Sequence, residues 1–170
     1  MNWNHIGKSA CPVARSLAMV GDRWTLLILR ELFVGVPRFE DIQAQTGMSS
    51  HLLSARLRRL ETDGIVKRQR YIKRPVRYEY VLTPKGLDAY PVVLALKAWG
   101  EKWGGFTPAE ERSTKLVHLK CGHETGLQLI CPSCAEPFGP RDISATFGTK
   151  FAAERTRRRR AFLAHRRVSS

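Results

Sequence analysis

Between residues 12 and 103 apolar positions return mostly at intervals of three and four, the spacing of one face of a helix. The first such stretch covers 12–20. Cys11 stands where an N-cap would, Pro12 takes the first helical position, where a missing N–H costs nothing, and Gly21 ends the run. Asp22 is placed to cap a second helix over 23–33, with Trp24, Leu27, Ile28 and Leu32 turned inward; Gly35 and Pro37 close it. A short third helix over 38–45 carries Phe39 and Ile42 inward and stops at Gly47. Ser49 caps a fourth helix running to residue 63, in which Leu53, Leu57 and Leu60 form the buried stripe and Gly64 is the stop.

The period then changes. Two strands are predicted, 65–71 and 77–82, joined by the basic turn Ile72-Lys73-Arg74-Pro75-Val76. Val76, Tyr78, Tyr80 and Leu82 alternate as in a half-buried strand. Thr83-Pro84 opens a long fifth helix to residue 103, kinked at Pro91. Leu87, Tyr90 and Leu94 define one apolar face of it, and Val92, Leu96, Trp99 and Trp103 another. Such a helix needs two partners, its own domain and a second subunit. Gly104-Gly105 begins a linker, and from about residue 113 the composition shifts to clustered cysteines, His118, His123 and an arginine-rich end.

Helix, helix, helix, two strands with a basic turn, helix is the plan of a winged helix-turn-helix. The outer face of the fourth helix holds Ser50, His51, Ser54, Ala55 and Arg58, with Arg56 and Arg59 beside them. Small residues let a backbone approach a major groove, and hydroxyl, imidazole and guanidinium groups reach base edges. Ser49 lies at the helix N-terminus, where free N–H groups favour a phosphate. Arg38 is placed to clamp a second phosphate, and Arg70, Lys73, Arg74 and Arg77 surround the turn that would lie along the backbone or minor groove. Charge fits this reading: 29 Lys and Arg against 15 Asp and Glu give +14, which favours a polyanionic partner.

The residues also resemble a known family. Cys11-Pro12, then Gly21-Asp22-Arg23-Trp24-Thr25-Leu26-Leu27-Ile28-Leu29-Arg30-Glu31-Leu32, is similar to the start of the HxlR-type regulators. Arg38-Phe39 with Ile42, the run Leu53-Ser54-Ala55-Arg56-Leu57-Arg58-Arg59-Leu60-Glu61, and Asp63-Gly64-Ile65-Val66 match their next motifs. So do Pro75, Arg77-Tyr78-Glu79-Tyr80, Leu82-Thr83-Pro84-Lys85-Gly86-Leu87 and Trp99. The resemblance spans roughly residues 8–104, with Asp22 and Arg23 as mild departures from the usual Gly and Lys. It implies a homodimer joined through the first and last helices, bound to an inverted-repeat operator, and in some members responsive to oxidants or electrophiles.

Three features remain. Cys11 at a helix N-terminus is either a redox or electrophile sensor, its thiolate favoured by the helix dipole, or a small residue filling the first turn. Cys121, Cys131 and Cys134, with His118 or His123 as the fourth ligand, have the spacing of one structural zinc ion; the competing readings are a reduced or disulfide-linked thiol pair, or a ribbon that no longer binds metal. The run Arg155, Arg157, Arg158, Arg159, Arg160 with Arg166 and Arg167 reads as a mobile tail, adding phosphate attraction or merely solvated.

No Gly-rich phosphate loop, paired carboxylates or nucleophile triad is evident, so an enzyme is not expected; Glu124 is weakly placed for a zinc hydrolase. The start lacks a signal-peptide layout and no stretch approaches a membrane span, which places the chain in the cytoplasm, associated with the nucleoid through DNA, with no membrane partner. The expected architecture is α+β, mainly α. Residues 1–105 form the winged helix-turn-helix and dimerisation domain, 106–148 a small zinc-ribbon-like extension, and 149–170 a basic tail. The rival function is a winged-helix and zinc-ribbon adaptor for proteins, without sequence-specific DNA reading. Operator, effector and the sign of regulation are not legible.

Overall fold

The computed structural model describes residues 3–74, 76–105, 114, 116–131, 133–137, 144 and 146–168. Two compact units are formed: Trp24–Gly139, and the two chain ends Met1–Arg23 with Pro140–Ser170.

In the first unit the helices α2 (Arg23–Phe33), α3 (Phe39–Thr46) and α4 (Ser50–Thr62) precede an antiparallel pair, β1 (Val66–Lys73) and β2 (Val76–Leu82). The order is mainly helical α+β with a two-strand wing. Ile28 and Leu29 of α2, Ile42 of α3, Leu53, Leu57 and Leu60 of α4, with Met48, Ile65 and Val66, form the core. The buried face of α2 is rotated from the expected one. Thr25, Ile28, Leu29 and Glu31 are buried, whereas Trp24, Leu27 and Leu32 are half-buried. Burial of Glu31 is compensated by Arg30, whose Nη2 lies 2.6 Å and Nε 2.7 Å from the same carboxylate oxygen.

The end of α4 turns sharply into the wing. Gly64 adopts φ of +68°, and the Ile65 N–H donates to the Leu60 carbonyl at 2.9 Å. The far end of this turn is bolted by Thr83, whose hydroxyl donates to the Gly64 carbonyl at 2.7 Å and accepts the Gly86 N–H at 3.2 Å. Gly86 is buried against the Ile65 carbonyl, and a Cβ there would overlap that oxygen. Gly86→Ala is therefore expected to destabilise by roughly 1–3 kcal/mol through overpacking, read as a lower midpoint in urea. A midpoint equal to the wild type's would show that the turn yields freely.

The single kinked helix expected over 84–103 is two helices, α5 (Pro84–Leu87) and α6 (Tyr90–Trp103). Pro91 lacks an N–H and its ring opposes the carbonyl four residues back, so the chain restarts at Tyr90 instead of bending through. Phe33 packs on Tyr90 with ring centroids 4.8 Å apart, holding the start of α6 to α2. No residue of α6 is buried. Val92, Leu96, Trp99 (65 % exposed) and Trp103 (64 %) leave a continuous apolar stripe open along it.

The second unit joins a 3-10 turn (Trp3–Lys8), α1 (Pro12–Val20) and α7 (Thr149–Val168). The arginine run expected to be a mobile tail is thus helical. Within it, Glu154 meets Arg158 at 2.6 Å, and Arg155 lies 4.5 Å over the Phe147 ring and 5.8 Å over Phe151, which offsets part of the like-charge repulsion. Glu154 also accepts the Ser9 hydroxyl and the Ala10 N–H, both at 2.7 Å.

Those hydrogen bonds hold the Glu154 carboxyl below its ordinary value. The Ala10 N–H is the main cause and the Ser9 hydroxyl the next. A folded value below the unfolded one means that the stabilisation is complete above the unfolded value and is lost as pH falls through the folded one. Amide exchange in α1, taken relative to the intrinsic rate at each pH, should accordingly quicken on acidification through the carboxylate range. In Glu154→Gln it should be faster at neutral pH and lose that acid-dependent step; parallel profiles for the two chains would discard the assignment.

Among the described residues, no helix is long and apolar enough to cross a membrane.

Candidate nucleic-acid interface

The turn between α3 and α4 is set from both sides. Gly47 takes φ of +68°, Met48 is buried, and Gln43 Nε2 donates to the Met48 carbonyl at 3.2 Å. Ser49 then caps α4, its hydroxyl accepting the Leu52 N–H at 3.3 Å. With Leu53, Leu57 and Leu60 held in the core, Ser50, His51, Ala55, Arg58 and Arg59 are exposed on the opposite side. Ser54 and Arg56 are half-buried, nearer the core stripe. Arg58 Nε donates to the Ser54 carbonyl at 3.3 Å, and Arg59 pairs with Asp63 at 2.8 Å.

The wing registers Val66 on Leu82, Arg68 on Tyr80 and Arg70 on Tyr78, then slips at Tyr71, so that Ile72 faces Arg77 and Lys73 faces Val76. The bulge sits where the strands leave the domain. From Tyr78 outward the half-buried alternation expected for β2 does not hold: Val76 and Tyr78 are exposed, and only Glu79 to Leu82 are half-buried. Two strands offer the distal part no layer to pack on. Arg70, Lys73, Arg74 and Arg77 all lie exposed there.

Arg38 belongs to the base of the wing. Its backbone bridges Glu79, the Tyr80 N–H donates to the Pro37 carbonyl at 2.8 Å, and its guanidinium lies 5.0 Å over the Tyr71 ring. It makes no side-chain cap of α3.

Sequence pattern alone does not single out one positioning residue. Arg68 of β1 bonds Glu61 of α4 at 3.0 Å and lies 5.3 Å over the Tyr78 ring. It therefore joins the helix to the wing. The available signal is its period-two relation to Arg70, which puts both on one strand face. Tyr80 closes the same corner, its phenol held above its ordinary value chiefly by burial and then by Glu61.

Cys11 is half-buried before α1. Its side chain makes no capping bond, and its N–H donates to Ser9 Oγ at 3.0 Å.

The C-terminal donors come together as two pairs. His118 Nδ1 lies 3.1 Å from Cys121 Sγ. The Cys131 thiol is held below its ordinary value mainly by the Cys134 N–H and then by Ser133. His123 meets His118 through its backbone carbonyl. All four cysteines are free, and among the described residues no three His, Cys, Asp or Glu side chains converge. The expected zinc-ribbon sheet is not formed among the described residues either. Val117 to Glu124 and Ile130 to Pro137 make single bridges, because the stretches between the turns carry no buried side chain on which a ladder could settle.

Comparison with known proteins bears on the whole arrangement. The model of the HxlR-like helix-turn-helix family matches residues 19–107. The uncharacterised HTH-type transcriptional regulator Rv3095 of Mycobacterium tuberculosis is 39 % identical over 142 residues, covering 84 % of this chain and 89 % of the relative. Among solved structures, PA1607, a candidate transcription factor, superposes with a TM-score of 0.75 at 32 % identity over 85 % of this chain and 99 % of its own. The oxidised form of the redox regulator HypR matches 54 % of this chain and 96 % of its own at 35 % identity, with a TM-score of 0.51.

Proposed function

The chain belongs to the HxlR-like helix-turn-helix family of transcriptional regulators, which are not enzymes, and from that membership we propose that it is a homodimer reading an inverted-repeat operator. The observation that carries this reading is the pairing of two exposed surfaces. One is the Ser50, His51 and Arg58 face of α4; the other is the Arg70, Lys73, Arg74 and Arg77 wing, joined to α4 by the Arg68–Glu61 bridge. The helix reads base edges while the wing holds phosphate. Ser49 and Arg38 hold phosphates at the helix start and the wing base. Arg59 adds charge beside them, and Arg56 acts more through its packed stem.

The uncovered stripe Val92, Leu96, Trp99 and Trp103 supports the homodimer, since a second copy would bury it. Cytoplasmic location with nucleoid association follows from the DNA reading.

Cys11 is the sensor in this proposal. Its support is a free thiol at the start of α1 and a relative described as a redox regulator. Oxidants or aldehydes should change DNA binding of the wild type, and Cys11→Ser should abolish that response; an equal response in both chains removes Cys11 from the role.

Titration against a duplex from upstream of the protein's own gene, beside a scrambled duplex and at several salt concentrations, tests the main reading. The specific duplex should bind tighter by about 10³-fold or more. Equal, steeply salt-dependent binding to that duplex and to a library of genomic fragments would favour an adaptor that attracts phosphate without reading bases.

A further inference from the structure

Two backbone hydrogen bonds and one bridge of the turn that starts at Val117 recur thirteen residues on, in the turn that starts at Ile130. In the first copy the His118 N–H donates to the His123 carbonyl at 2.9 Å, and the Gly122 N–H returns to the His118 carbonyl at 2.8 Å. In the second, the Cys131 N–H donates to the Glu136 carbonyl and the Ala135 N–H to the Cys131 carbonyl, both at 2.9 Å. One antiparallel bridge closes each turn, Val117 with Glu124 and Ile130 with Pro137. The residue whose N–H makes this returning bond has positive φ in both, Gly122 at 72° and Ala135 at 59°. For Ala135 this is the left-handed region that a Cβ disfavours, so the turn is specified against local preference.

The repeat places His118 where Cys131 stands and Cys121 where Cys134 stands. His123 corresponds to Glu136 and lies outside both donor positions. A second observation comes from burial. No described residue from 114 to 137 is buried, and Leu119 is 99 % exposed. Two defined turns are present without a core between them, and segments of this size are ordinarily held by a disulfide, a metal or a partner. The cysteines are free.

We propose that the two turns grip one divalent metal ion through His118 Nδ1 and the sulfurs of Cys121, Cys131 and Cys134. Three thiolates and an imidazole in a tetrahedron suit zinc best. Ligand atoms on one tetrahedral zinc stand about 3.5 Å apart, so the 3.1 Å between His118 Nδ1 and Cys121 Sγ needs little change. The two pairs close on the ion by movement of residues 125–129, all exposed. Binding releases one proton from each of the three thiols, leaves the imidazole neutral and gives the centre a net charge of minus one. Four protein ligands leave no open position, so the ion holds structure and performs no reaction. This assignment stands apart from the DNA-binding reading and can fail without it.

The full chain, purified without chelator or metal-affinity tag, should carry about one equivalent of zinc and no disulfide. The metal-free chain, titrated with cobalt(II), should show the d–d bands of a tetrahedral site with thiolate charge transfer. Cys121→Ser, Cys131→Ser, Cys134→Ser and His118→Ala should each weaken metal retention by roughly tenfold or more, while His123→Ala retains it. Less than roughly a tenth of an equivalent together with no tetrahedral cobalt spectrum would overturn the proposal. So would a Cys131–Cys134 disulfide in the chain as isolated under reducing conditions. Loss of metal in His123→Ala with retention in His118→Ala would overturn the ligand set. If a variant fails to fold, the wild-type cobalt spectrum still decides.

Discussion

Leu57→Ala is expected to destabilise the winged unit by about 2–5 kcal/mol, the range for truncating a fully buried leucine in a packed core. Leu57 is wholly enclosed, midway along the α4 stripe between Leu53 and Leu60, and the other face of the same helix is committed to solvent. The helix cannot rotate to fill the gap without withdrawing His51 and Arg58 or exposing its neighbours. Each kcal/mol lowers the melting temperature of a domain this size by roughly 4–8 °C. Thermal unfolding checks this, with Leu96→Ala as the contrast. Leu96 is 47 % exposed on α6, so its loss should act mainly on association and show as a deficit in melting temperature that narrows as both proteins are diluted. A Leu57→Ala cost below about 1 kcal/mol would mean that the core closes over the cavity.

The second large effect divides the interface into two functions. His51→Ala and Arg58→Ala should each cost about 1–3 kcal/mol against the operator and almost nothing against a scrambled duplex, because what they remove is base reading. Replacing Lys73, Arg74 and Arg77 together by alanine should weaken both duplexes alike. The slope of log affinity against log salt should fall by about one for each phosphate that the wing no longer neutralises. The division depends on the wing's cations being exposed on both sides of the bulge, where Arg70, Lys73, Arg74 and Arg77 face solvent. Affinity measured at four or more salt concentrations on both duplexes separates the outcomes. If the wing variant lost discrimination and the helix variants did not, the roles would be exchanged.

Much of this arrangement is legible in the sequence because it rests on short-range chemistry. Pro12, Ser49 and Gly47 act within one turn of their own positions, and α1 and α4 begin, and α3 stops, where those signals put them. The Leu53, Leu57 and Leu60 stripe follows from helical periodicity, and all three are buried. Pro91 by itself predicts a kink; the break follows from its ring opposing a carbonyl that local pattern alone does not weigh against the packing of Phe33 on Tyr90. The distal wing is exposed where alternation predicts half-burial, since alternation records which side a residue takes and says nothing about whether another layer covers that side.

What stays hidden depends on distance along the chain. Nothing near Glu61 announces Arg68, and nothing near Ser9 announces Glu154. The arginine run reads as a tail because its charges repel locally, whereas the partners that moor its Glu154 sit at the other end of the chain. For the C-terminal donors, spacing chooses the residue types and leaves His118 and His123 open. In the zinc proposal it is the recurring turn that favours His118, and such a turn is a property of hydrogen bonds that no spacing states.

The Ser9–Glu154 bond joins residues 145 positions apart, and it imposes an order on biosynthesis. The Trp24–Gly139 unit is complete before Glu154 has been translated, whereas the Met1–Arg23 segment must wait for the last helix to emerge. Nascent chains arrested before that point should therefore hold a formed wing beside an unsettled leader, and protease should trim the leader first. Closing so long a loop is slow relative to pairing neighbours. A late kinetic phase that reports on α1 and disappears in chains ending before residue 149 would be its signature.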